Sequence, residues 1–178
     1  MNYSIFVWEM INFVLVSLFS SIIYMYFEYQ DSNKIYKLFI PKNDSIWERI
    51  KVLLTPTLLV MLIEILLINV TPNFIFAKLI SIIIMTITNP LIFILYFKFS
   101  KWDMMINNVL TTVTCALIGL ITSVLILNLP MLSDGIIYIS IVGIIMIIAF
   151  YIIATFYQTN DFIFIDPVTK KINLKKDR

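Results

Sequence analysis

Five runs of apolar residues, each close to the length that crosses hydrocarbon, dominate this 178-residue chain. A bilayer core about 30 Å thick needs roughly 20 consecutive apolar residues as helix. The runs lie near residues 10–27, 46–70, 79–97, 108–129 and 136–157. In hydrocarbon the backbone must satisfy its own N–H and C=O groups, which leaves helices or closed barrels. These runs are continuously apolar rather than alternating, so the expectation is helices, not a barrel. The fold class read from sequence is an all-α, polytopic membrane protein of five spans, taken as one domain over residues 1–157. A short basic cytoplasmic tail, 158–178, follows as a hairpin or interfacial flap. With 61% hydrophobic and 13% charged residues, the chain has too little polar surface for a soluble domain of this length.

Charge placement sets the expected orientation. Lys34, Lys37, Lys42, Arg49 and Lys51 follow the first run, Lys98 and Lys101 follow the third, and Lys170, Lys171, Lys175, Lys176 and Arg178 lie in the tail. Twelve of the thirteen basic residues therefore fall on one side if the N-terminus is outside, and only Lys78 falls on the other. Positive residues are retained on the cytoplasmic side, so the chain reads as N-out and C-in. The membrane expected is the bacterial cytoplasmic membrane. The start, MNYSIFVWEM, carries no basic n-region, and the first run reads as a retained span rather than a removed signal peptide.

The second run, VLLTPTLLVMLIEILLINV, holds Glu64 well inside it. An ionisable residue at that depth is a functional-site hypothesis by default. Its functional reading is a proton or cation site, or a contact for a cationic partner. Its structural reading is a neutral carboxyl hydrogen-bonded to Asn89, Thr or Ser on neighbouring helices. Ser45 and Glu48 match a capping box, which starts this helix near Ile46. Pro56 removes the hydrogen bond to the Val52 carbonyl. In the third run Asn89-Pro90 frees the Thr86 carbonyl, so Glu64, Asn89, Pro90 and Thr86 form the candidate intramembrane polar site. Cys115, Gly119 and Ser123 recur every four residues, and with Gly143 they read as helix-packing positions. The ten basic residues of the first connection and the tail form a basic cytoplasmic surface, read first as topology signals and, in the functional reading, as a surface for anionic lipid or an acidic cytoplasmic partner.

The exclusions are sharper. Without His, the chain lacks His-containing zinc sites, Ser–His or Cys–His catalysis, and His-ligated haem. No G-x-S-x-G, Walker or G-x-G-x-x-G pattern occurs, and the three glycines cannot form a phosphate loop. A membrane aspartyl protease needs paired intramembrane Asp, which the runs lack. No basic, aromatic-interleaved patch points to nucleic acid. The lone Cys115 cannot form an intramolecular disulfide. The expectation is a non-enzymatic protein with no cofactor and no metal. Its partners are the lipid bilayer and another membrane protein or a second copy of itself, as an accessory subunit or an immunity-type protein against a membrane-active toxin. The alternative is a small transporter or channel that uses Glu64 as its proton or cation site.

Overall fold

The computed structural model describes residues 3–25, 36–67, 71–99, 103–167 and 170. Every regular element among them is helical. The order is α1 (Tyr3–Met25), α2 (Tyr36–Phe39), α3 (Ile46–Leu67), α4 (Phe74–Phe99), α5 (Met104–Leu127) and α6 (Asp134–Phe156). Five of these helices are long and apolar enough to cross a membrane; α2 is a single turn.

Four helices close a bundle. α1 packs between α3 and α5, and α4 packs on α5 and α3. α6 lies outside this bundle, against α4 and α2. Its outer face is apolar and exposed, with Ile141, Ile145 and Ile152 exposed outside the cleft it makes with α4. That pattern is what a lipid-facing helix requires.

Small residues set the closest helix approaches. A Cβ on Gly119 would collide with Met85 Sδ across the α4–α5 seam. A Cβ on Gly143 would meet the end of the Leu79 side chain at 2.9 Å, so Leu79 packs directly over Gly143 where α6 meets α4. Ser81 adds a 2.6 Å hydrogen bond to the Gly119 carbonyl at the same seam. Cys115 is fully buried beside it.

Several expected boundaries move outward. α1 begins at Tyr3 and includes Glu9 as a buried helical residue rather than a bracketing one. α4 starts at Phe74, which takes Lys78 into the helix. In both cases polar side chains find partners inside the bundle, so the helix continues past the apolar run. α3 starts at Ile46, but the capping box is half made. Glu48 N–H donates to Ser45 Oγ at 3.4 Å, whereas Ser45 N–H donates to Asn43 Oδ1. The Glu48 carboxylate is drawn instead to Lys51, Gln158 and the Lys42 N–H.

Both prolines sit in unbroken helix. The Val52 carbonyl freed by Pro56 accepts a 3.1 Å hydrogen bond from Ser20 Oγ of α1. Such substitution by a neighbouring side chain is what lets proline persist within a span.

Residues 168–169 and 171–178, which the expected hairpin or interfacial flap would need, lie outside the described residues. Phe162 to Ile165 forms turns, not a strand, and folds onto the start of α3. Trp47 N–H donates to the Ile163 carbonyl at 3.0 Å, and Asn43 Nδ2 donates to the Phe164 carbonyl at 3.2 Å. Phe164 is buried against Trp47. The reason is local: the first turn of α3 has free N–H groups, and the tail supplies acceptors.

Candidate functional site

Polar side chains converge at three depths inside the α1–α3–α4–α5 bundle. The outermost level is charged. Lys78 Nζ of α4 lies 2.7 Å from Glu9 Oε1 of α1 and 2.9 Å from Glu64 Oε2 of α3. Asn12 Nδ2, one turn along α1 from Glu9, donates to the same Glu64 oxygen at 2.8 Å. The three charged side chains are only 2–4% exposed. Glu64 Oε1 has no partner among the described residues. A cavity of about 20 Å³ adjoins the cluster, lined by Glu9, Asn12, Lys78, Ser81 and Ser123 among others. That is room for one water.

The middle level is uncharged. Ser17 Oγ, Ser123 Oγ and both amide atoms of Asn89 are buried without a hydrogen-bond partner among the described residues. Asn89 lies beside Cys115 without good hydrogen-bond geometry. The two threonines of α3 flanking Pro56 fold back on their own helix, Thr55 to the Lys51 carbonyl and Thr57 to the Leu53 carbonyl.

The inner level is again charged. Arg49 is 3% exposed, and its guanidinium carbon sits 3.3 Å from the Phe93 ring centroid. Its Nε and Nη1 have no hydrogen-bond partner among the described residues, nor has the Tyr24 hydroxyl, which lies beside Thr112. Asn108 Nδ2 donates to Asp44 Oδ1 at 2.6 Å. Burial pushes the Asp44 carboxyl up, while that hydrogen bond and the Arg49 charge pull it down. The Asp44 N–H donates to Asp166 Oδ2 at 2.9 Å.

A second ionic pair stands next to this level. Lys51 is fully buried, pairs with Glu48, and donates to the Lys37 and Ile40 carbonyls at 3.0 Å. Lys42 reaches the Thr155 carbonyl and Gln158 Oε1, and burial lowers its pKa.

The placement of the sequence-derived candidates is therefore mixed. Glu64 does not meet Asn89. Eleven residues separate Lys78 from Asn89 on α4, about 16 Å of helix. Glu64 is instead held by Lys78 and Asn12. Thr86 faces a different space, an apolar cleft between α3, α4 and α6. Pro90 lies within α4 one position from Asn89. Arg49 and Lys51 are buried partners of the bundle, not a basic surface, because the first turns of α3 are covered by α2 and the tail. Lys42 is half-buried, Lys37 gives its carbonyl to Lys51, and Lys170 is exposed. Lys34, Lys171, Lys175, Lys176 and Arg178 fall outside the described residues.

Glu9, Asn12 and Lys78 were not among the sequence-derived candidates. Each lies near a span end, where charge is usually read as an interface marker. One signal was present: Lys78 is the single basic residue on the otherwise charge-poor side.

Residues 2–174 match a family model described as a family of unknown function, DUF6512. The chain belongs to the DUF6512 family. No curated protein and no solved structure matches it. Among the described residues of this DUF6512 chain, no group of three or more His, Cys, Asp or Glu side chains is placed to hold a metal ion.

Proposed function

We propose that this protein is a small integral membrane protein that handles a proton or small monovalent cation in the interior of its four-helix bundle. It sits N-out and C-in in a bacterial cytoplasmic membrane and performs no enzymatic step. One observation carries the reading: unpartnered buried polar atoms recur at three depths of one bundle interior. They run from Glu64 through Ser123, Ser17 and Asn89 to Tyr24 and Arg49. The fifteen helical steps from Glu9 to Tyr24 cover about 22 Å, most of the hydrocarbon thickness. Buried polar atoms without protein partners are ordinarily met by water. Ionisable groups inside a span, facing the bundle interior, mark ion paths and proton relays.

Flux in proteoliposomes tests this. The purified protein should dissipate an imposed proton or monovalent-cation gradient. Glu64→Gln keeps size and hydrogen bonding but cannot change charge, so it should abolish flux at normal protein abundance. Wild-type vesicles indistinguishable from empty ones would sink the proposal.

The second reading is the interaction protein, an accessory subunit or immunity-type protein. It is favoured by an open cleft of about 660 Å³ along α6, lined by Leu54, Leu79, Ile83, Val142, Met146 and other apolar side chains. Under this reading the protein leaves mild detergent with a stoichiometric membrane partner, and Glu64→Gln is silent. Isolation as a lone species from its native membrane would count against it.

A further inference from the structure

We infer that the Glu9–Lys78–Glu64 cluster is a proton-binding site, with the proton held on Glu64. This rests on the ion-handling reading above and names the ion. The charge count leads to it. Glu9 faces the cluster from α1, Glu64 from α3 and Lys78 from α4, while α5 contributes only the Ser123 hydroxyl. Among the described residues no other charged group pairs with these three. Fully ionised, the trio carries one net negative charge with its side chains at most 4% exposed. A lone uncompensated charge at that burial is far costlier than taking up a proton.

The hydrogen bonds say which carboxylate takes it. Lys78 donates to Glu9 at 2.7 Å, the shorter of its two contacts. Glu64 has the longer contact to Lys78 and a neutral donor, Asn12, both on Oε2. Its Oε1 has no donor among the described residues. A carboxylate oxygen without a donor is the place where an added O–H removes most charge. Glu64 Oε1 takes the proton from a hydronium reaching the cluster: one hydronium O–H bond breaks, one O–H bond forms on Oε1, and a water is left. Lys78 stays an ammonium paired with Glu9, and the site becomes neutral.

Two further observations point to a ligand there. Ser123, 2% exposed, lines the adjoining cavity, and its hydroxyl has no partner among the described residues. The cavity admits one water and is lined by Glu9, Asn12 and Lys78, so it reaches the cluster at the side chains that hold Glu64 or pair with its cation, not at Glu64 itself. A sodium or potassium ion would need several oxygens around it and would sit beside the Lys78 ammonium. The site offers few free oxygens and a fixed positive charge at its centre.

Infrared spectroscopy of the full chain in lipid nanodiscs tests the assignment. Wild-type protein at neutral pH should show a protonated-carboxyl C=O band that survives in non-alkaline buffer. Glu64→Gln should lose that component. Glu9→Gln should lose it too, because Lys78 then balances Glu64. Lys78→Met should strengthen it, because a second carboxyl must take a proton. A merely structural cluster of ionised groups predicts none of these changes. The wild-type band carries the test by itself if a variant fails to fold. Absence of any protonated-carboxyl band in the wild type would overturn the assignment, and so would a band indifferent to both acid variants. The band pattern without proteoliposome flux would uphold the proton site and overturn the transport reading. Sodium or potassium flux without the band would do the reverse.

Discussion

Lys78 shows how one residue changes the meaning of another. By itself Glu64 is an isolated carboxyl in hydrocarbon; with Lys78 at 2.9 Å it is one arm of a three-charge cluster. Removing one partner of a buried ionic group usually costs about 3–5 kcal/mol, because the remaining charge is left without compensation. Lys78→Met should therefore destabilise the protein by about that amount in neutral buffer. The pH dependence follows from the sign of the charge left behind. With Glu64 already holding a proton, Glu9 loses the cation it pairs with and must be protonated to stay buried, so the variant regains stability as pH falls and loses it as pH rises. Thermal unfolding in detergent at mildly acidic and mildly alkaline pH checks this. Equal losses at both pH values would contradict the charge argument.

At the scale of elements, the seams depend on exchanges that no single helix can supply. Pro56 leaves the Val52 carbonyl free, and Ser20 on α1 satisfies it. Ser20→Ala removes that donor inside a fully packed seam, where Ser20 and Val52 are both 0% exposed. The stranded carbonyl should cost about 1–3 kcal/mol. Ser20→Thr keeps the hydroxyl but adds a methyl, so its cost is one of packing. Ala restored at Pro56 in the Ser20→Ala background should recover part of the loss, because the helix again supplies the missing N–H. A double-mutant cycle in detergent unfolding would measure this coupling, and strict additivity would rule it out. The tail acts in the same way on α3. Gln158 and the Ile163 carbonyl meet groups of its first turn that would otherwise face the membrane interface unpaired.

At the scale of the whole molecule, the question is which end of the polar interior faces which compartment. In the proposed N-out orientation, the Glu9–Lys78–Glu64 level would face the outside and the Arg49 level the cytoplasm. The lone native cysteine is fully buried, so the chain offers a low background for cysteine labelling. Met131→Cys, in the exposed connection between α5 and α6, should react with an impermeant maleimide in intact cells. Asn160→Cys, after α6, should react only after the membrane is opened. The opposite pattern would invert the orientation.

Much of this architecture is legible without coordinates. Five apolar runs specify five helices, because hydrocarbon forces each backbone to satisfy itself locally. The beginning of α3 at Ile46 is readable from Ser45 and Glu48, and the vacancy left by Pro56 from the ring alone. The candidate site is legible only at Glu64. Glu9 and Lys78 lie fifty-five and fourteen residues from it in the chain, on different helices. Depth in a membrane can be read along each span, but the facing of one span toward another cannot. Helix rotation is decided by which small residues allow close approach, Gly119 under Met85 and Gly143 under Leu79. That rotation turned Asn89 toward Cys115 rather than Glu64, and Thr86 out to the cleft. Local hydrophobicity thus determined the elements and their number, while the packing of four helices decided which charges would meet.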